Sequence, residues 1–239
     1  SYIDTNVVGT FNILQAAKDN KISRIINTST SEVYGSGKKI PITEKHPLQA
    51  QSPYSASKIS ADQIAMSFYN SYNLPLIILR PFNTFGPRQS ERAIIPTIIK
   101  QILNSKKNTI TLGNIFPTRD FNYIDDICDG YAAALKAKNI FGQTINLGTG
   151  YEISIKDTAT LISFLMKSKI LIKNVDERTR PKKSEVSRLC SSNKKAIKLL
   201  DWKPRFAGKS GLKKGLIKTI KWYVENNYTQ RAKKNKYVI

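Results

Sequence analysis

Histidine and cysteine are scarce in this chain. Its 239 residues include one histidine, His46, and two cysteines, Cys128 and Cys190. A lone histidine beside Pro47 leaves almost no material for a zinc site or a histidine-based triad, so no metal is expected. The cysteines are far apart and not at metal-ligand spacing. One disulfide is an option, and two free thiols in a reducing compartment is the reading adopted. No apolar run reaches the roughly 18 residues that a membrane span needs. Ser1 opens no charged-then-apolar leader, so no signal peptide is expected, and the chain starts inside what reads as a helix. Acidic residues are few as well: 17 against 39 basic ones, a formal net charge of +22. That balance invites a polyanion-binding reading. Most of the excess, however, is lysine dispersed on apparent helix faces after residue 150, such as Lys194, Lys195, Lys198, Lys213, Lys214, Lys218 and Lys221. There is no zinc finger, RNP-like motif or aromatic–basic interleaving, so a solvated basic surface is expected and nucleic acid is not.

What is present is a core of ordinary size, 40% hydrophobic, enough for one full domain or a domain plus a small lobe. Val7, Val8, Phe11, Leu14 and Ala17 recur at helical spacing within 2–18. A short β-like run over 23–27 leads into Thr28-Ser29-Thr30-Ser31-Glu32, and a polar loop follows from Gly35 to Pro53. A second long helix is expected over 54–72 and a buried-type strand over 74–79. Helix–strand–helix–strand is the order of a parallel α/β architecture. Further on, the pattern predicts helices over 93–103, 124–137, 154–167, 193–200 and 211–226, with strands over 109–112, 144–147 and 169–175. Ser154 is the expected cap of its helix, with Asp157 in the first turn. Residues 228–239 read as a basic tail.

The chemistry centres on Tyr54 and Lys58 in Tyr-Ser-Ala-Ser-Lys. Positions i and i+4 share one helix face. An ammonium there is expected to favour the phenolate and lower the phenol's pKa, so that it can take a proton from a sugar hydroxyl. A second Tyr-x-x-x-Lys match, Tyr34 and Lys38, crosses Gly35 and Gly37 and is discarded. Tyr54 stands out because a β-run ending at Thr30-Ser31-Glu32 precedes it and another strand follows it.

Four ordered motifs carry a resemblance: Ser-Thr-Ser-Glu-Val-Tyr-Gly (29–35), Pro-Tyr-Ser-Ala-Ser-Lys (53–58), Leu-Arg-Pro-Phe-Asn-Thr-Phe-Gly-Pro-Arg (79–88) and Arg-Asp-Phe-Asn-Tyr-Ile-Asp-Asp (119–126). Together they resemble the extended short-chain dehydrogenase/reductases, the NAD-dependent nucleotide-sugar epimerases and dehydratases. The resemblance implies a Rossmann-like parallel sheet and a smaller carboxy-terminal α/β substrate domain. It implies that Thr30 and Tyr54 face a sugar 4-hydroxyl, that Lys58 also holds the nicotinamide ribose, and that Asn6 and Pro81 lie near the cofactor. It assigns Glu32 to removal of the C5 proton. Asn83, Arg88, Arg119 and Arg180 become the substrate-binding set, the arginines gripping a diphosphate. Where thymidine-sugar dehydratases carry an Asp as general acid, this chain has Ser31, closer to GDP-mannose dehydratases; the donor to the leaving water stays open.

The family's Gly-x-x-Gly-x-x-Gly cofactor loop is not found, and only 53 residues precede the catalytic tyrosine. The resemblance therefore implies an incomplete amino-terminal part and weak NAD binding by the chain alone. The expected division is 1–85 for the catalytic half of the Rossmann domain, 86–227 mostly for the substrate lobe with returns near 120–150, and 228–239 for the tail. The implied activity is a cytoplasmic, homodimeric nucleotide-sugar 4,6-dehydratase, pairing through helices 2–18 and 54–72, closest to those acting on UDP-N-acetylglucosamine. A UDP-sugar 4-epimerase and a UDP-glucuronate decarboxylase remain open alternatives, as do a basic nucleic-acid-binding protein and an inactive fragment.

Overall fold

In the computed structural model, residues 1–105, 108–175, 181 and 183–226 are described. The core strand is Leu76–Pro81 (β2), which pairs in parallel with Ile25–Thr28 (β1) on one side and Thr144–Leu147 (β7) on the other. Its Leu-Ile-Ile-Leu run is apolar at every position because both sheet faces are covered. Side chains alternate across the sheet. Leu76 and Ile78 therefore meet Leu14 of helix Gly9–Asp19 (α1) and Ala65 and Phe68 of helix Pro53–Tyr72 (α2). Ile77 and Leu79 face the other way, onto Ile127 and Ala134 of helix Ile124–Lys136 (α4) and onto Ala196 and Leu200 of helix Lys194–Leu200 (α6). Among the described residues, β1 has a strand partner on one side only.

A second cluster lies between helix Ile94–Asn104 (α3), helix Ile155–Leu165 (α5) and helix Gly208–Glu225 (α7), around Phe85, Tyr123, Ile98, Ile162 and Leu216. Strand Thr109–Leu112 (β4) pairs there in parallel with Leu171–Asn174 (β9). Smaller bridges join the two clusters. Thr84–Phe85 (β3) pairs with Asn122–Tyr123 (β6), and Thr118–Arg119 (β5) lies between Ile153–Ser154 (β8) and Arg188–Leu189 (β10). None of these two-residue strands was expected from the sequence. Their pairing is imposed by tertiary contact rather than by a run of strand formers.

The predicted elements otherwise fall within a few residues of the observed ones. Ser154 caps α5 as expected, its hydroxyl accepting the Asp157 N–H at 2.9 Å. Two expectations need correction. Ile3–Val8 is wound as a π-type turn before α1 becomes α-helical. Of the five apolar positions read as that helix's core stripe, Leu14 and Ala17 are buried, while Val8 and Phe11 are exposed. Both cysteines are free thiols. Burial, with the Asp120 and Glu152 carboxylates behind it, pushes Cys190 up to about 12. No described helix is long and apolar enough to cross a membrane. Among the described residues no His/Cys/Asp/Glu group could hold a metal ion.

Candidate active site

Two chain segments meet at the carboxy-terminal end of β1. The first is the turn Ser31–Tyr34, entered from extended Thr30, whose hydroxyl accepts the Glu32 N–H at 3.2 Å. Gly35 ends the turn at φ 61°, where a Cβ would lie 2.8 Å from the Gln49 carbonyl oxygen, so glycine is required there. The second is the start of α2. Ser52 accepts the Ser55 N–H at 3.1 Å, and the Ser55 hydroxyl accepts the Ser52 N–H at 3.0 Å. This reciprocal cap, with Pro53 in the first turn, fixes where the helix begins. Tyr54 is thereby held in that first turn, with Lys58 one turn on.

The two segments converge. The Tyr54 phenol is hydrogen-bonded to the Thr30 side chain and feels the Glu32 carboxylate. Its ring packs edge-on against Tyr2, centroids 5.7 Å apart. The Lys58 ammonium donates to the Thr28 carbonyl. The predicted effect of Lys58 on Tyr54 is not seen. Burial is the largest influence on the phenol and raises its pKa; Glu32 and Tyr2 raise it further, against a lowering by the Thr30 hydrogen bond. Lys58 itself is lowered, first by burial, with Asp62 acting in the opposite sense. Loss of water around the ring is thus the dominant influence on the phenol.

Beneath this pair lies a buried polar chain. Asp62, one turn beyond Lys58, accepts the Ser29 hydroxyl at 2.7 Å and two Arg80 N–H groups at 3.1 and 2.9 Å. Arg80 donates to the Tyr34 hydroxyl at 3.0 Å, and Tyr34 donates to Asn146 at 2.7 Å. The chain links α2, β1, β2, β7 and the Glu32 turn. Asn6 belongs to the same scaffold. Its amide donates to the Ser57 hydroxyl at 3.0 Å, and Ser57 in turn donates to the Tyr54 carbonyl at 2.7 Å.

A cleft of about 320 Å³ opens beside Glu32. Glu32, Asn83, Gln89, Arg92, Arg119 and Glu185 supply its polar lining, and Thr111–Asn114 form part of its wall. Asn83 Oδ1 and Gln89 Oε1 are buried with no hydrogen-bond partner. Both belong to residues that line the cleft, and unmet acceptors there favour a partner with donor groups. Arg119 forms an ion pair with Glu185 at 3.5 Å and donates to the Thr118 carbonyl at 2.9 Å. Its backbone is fixed by neighbouring Asp120, fully buried, whose carboxylate takes N–H groups from Thr149, Gly150 and Ser191, each at 3.0 Å.

Of the residues singled out from the sequence, Thr30, Glu32 and Tyr54 converge, Lys58 lies one helical turn on with its ammonium at the Thr28 carbonyl, and Asn83 and Arg119 share the cleft with Glu32. Pro81 ends β2, paired with Leu147. Arg88 is exposed at φ 64° and does not line the cleft; Arg92, which sequence reading passed over, does. Arg180 lies outside the described residues. Gln89 was also missed, although the motif at 79–88 ends beside it, and Glu185 was given no role.

The family model for GDP-mannose 4,6 dehydratase matches residues 1–215. A human dTDP-D-glucose 4,6-dehydratase is 32% identical over 224 residues, which cover 92% of this chain and 62% of that protein. The chain thus spans less than two thirds of that relative's length. Among solved structures, a Bacillus anthracis dTDP-glucose 4,6-dehydratase in complex with NAD superposes with a TM-score of 0.83 at 32% identity, covering 94% of this chain and 69% of that one. A Bacillus cereus UDP-glucuronic acid 4-epimerase in complex with UDP-glucuronic acid and NAD gives 0.85 at 30% identity, with 94% and 68% coverage.

Proposed function

This chain belongs to the GDP-mannose 4,6 dehydratase family, among the NAD-dependent epimerases and dehydratases of Rossmann-like fold, and on that premise we propose that it is the catalytic part of a nucleotide-sugar 4,6-dehydratase. UDP-N-acetylglucosamine is the proposed substrate, on the resemblance of its motifs. The observation that carries the reading is Glu32: its carboxylate lines the cleft and acts on the Tyr54 phenol at the same time.

The donor set fits the nicotinamide-ribose end of NAD. Lys58 has three N–H donors, of which the Thr28 carbonyl takes one. Tyr54 and Pro81 complete that end of the proposed site. When bound, NAD would supply the hydride acceptor for oxidation at C4 and the hydride donor for reduction at C6. Tyr54, relayed by Thr30, takes the proton of the 4-hydroxyl. Once C4 is a ketone, the C5 hydrogen is acidified, and Glu32 removes it as water leaves C6. With Ser31 beside it, Glu32 also returns the proton to the departing hydroxyl. Asn83, Arg92 and Arg119 hold the rest of the substrate, the guanidinium groups on the diphosphate. Arg88 and Arg180 were assigned to that grip by resemblance. Arg92 lines the cleft where Arg88 does not, which supports Arg92 in its stead, and Arg180 stays in the proposed set.

Two free thiols fit a reducing cytoplasm. The exposed Tyr2, Ile3, Ile13 and Tyr72 on the helices at 2–18 and 54–72 fit pairing of two copies there. The division into a catalytic half over 1–85 and a substrate lobe over 86–227 is retained as a proposal, with β7, α4 and α6 packing back on the first unit's sheet.

A 4-epimerase is the second reading. It uses Tyr54 without needing Glu32, and an epimerase is among the solved structures this chain resembles. Product analysis separates the two. Incubation of the chain, joined to the amino-terminal cofactor-loop segment that the resemblance implies, with UDP-N-acetylglucosamine and NAD is expected to give a product lighter by one water, by mass spectrometry. A product of unchanged mass inverted at C4 overturns dehydration in favour of epimerisation, and no product of either kind overturns both.

A further inference from the structure

Glu185 presents an anion to Arg119 inside the cleft. Both side chains are largely covered, at 16% and 10% exposure, and their charged groups are 3.5 Å apart. The backbone around Glu185 is tied down. Its carbonyl accepts the Ser36 hydroxyl at 3.4 Å and the Gln51 amide at 3.5 Å, and the Ser187 N–H donates to Ser36 at 2.9 Å. Val186, next along, is buried in the cluster formed by Val33, Tyr34 and Phe82. The strap is therefore fixed to the Gly35–Gln51 loop, and rotation of the Glu185 side chain is the simple way to break its ion pair with Arg119. The nearby Arg188–Glu152 pair makes the contrast, since neither of its members lines the cleft.

We propose that Glu185 is a displaceable counter-ion that sets the affinity of the cleft for a diphosphate. It neutralises Arg119 while the cleft is empty and repels the anion that replaces it. This rests on the nucleotide-sugar reading above. A carboxylate beside a partly buried guanidinium offsets the cost of covering that charge, so the pair favours the protein before a ligand arrives. The same carboxylate then weakens every competing anion, which keeps a product carrying the same diphosphate from being held too long.

The test is calorimetric binding to the wild type, Glu185→Gln and Glu185→Ala, with folding checked by circular dichroism. The probes are inorganic pyrophosphate and, separately, UDP, dTDP and GDP. Both variants are expected to bind pyrophosphate and at least one nucleoside diphosphate about tenfold more tightly than the wild type. Adding Arg119→Met should abolish the gain, as a double-mutant cycle requires. Equal or weaker binding by both variants overturns the proposal. Tightened pyrophosphate with no nucleoside diphosphate bound keeps the counter-ion and sinks the nucleotide-sugar reading. Nucleoside diphosphates bound equally by all three proteins do the reverse. No binding by any protein sinks both.

Discussion

At the scale of single residues, Tyr54 is where charge and burial compete. Burial and the Glu32 carboxylate both disfavour the phenolate, so its pKa lies above the ordinary value; taking away the carboxylate removes one of the two and must bring it down. Ultraviolet difference titration against Tyr54→Phe should show a phenol ionising above about 10 in the free protein. In Glu32→Gln the midpoint should move to lower pH. A midpoint below the ordinary value in the wild type, or one unmoved by the substitution, would contradict this balance. In catalysis the same sign predicts that proton removal by Tyr54 gains with rising pH. Tyr54, Lys58, Thr30 and Glu32 were legible in the sequence because local spacing decides their geometry: a helical turn for one pair, a strand end and tight turn for the other. Arg92 and Glu185 were not, because only the closed fold brings the 184–187 strap against a loop about 150 residues earlier. The direction of the Tyr54 shift was misread for a related reason. Sequence shows a neighbouring ammonium but not the loss of water around the ring.

The elements that carry the site are bound together by charge rather than by apolar packing alone. Asp62 of α2 and Arg80 of β2 are almost wholly buried, at 1% and 5% exposure, and joined at 2.9 Å. Removing one partner of such a pair leaves an uncompensated charge and typically costs about 3–5 kcal/mol. For Asp62→Asn the melting temperature should fall by roughly 6–20 °C for a chain of this size. The matched replacement Asp62→Leu with Arg80→Met should recover part of it. An Asp62→Asn protein melting with the wild type would show that the pair contributes little. Long elements were legible because each writes its own period: the apolar run of β2, the capped α2, the stripe of α3. The π-wound start at Ile3–Val8 was not, since a shift of one residue per turn leaves the apolar pattern almost unchanged. The two-residue strands β3, β5, β6, β8 and β10 have no pattern of their own to read.

At the scale of the whole molecule, the parallel α/β organisation was legible from element order, because a parallel sheet demands alternating helices and strands. The mixture of the two clusters was harder to see, as α6 is distant in sequence yet packs on the same sheet face as α4. The exposed side chains of α1 and α2 lead to a prediction at this scale. Light scattering of the wild type should report a dimer, and Ile13→Glu, changing a side chain 66% exposed in the single chain, should shift it toward monomer. A monomeric wild type would remove that pairing from the proposed function. The sheet has one further consequence, from the single-sided pairing of β1. Among the described residues that border is unpaired, a template on which stray chains can stack, and mutual repulsion between molecules carrying +22 opposes such stacking. Dissolved salt shortens the reach of that repulsion to about 8 Å at physiological strength. Added electrolyte is therefore expected to raise the light scattered by this chain, and scattering indifferent to ionic strength would separate its dispersal from its charge.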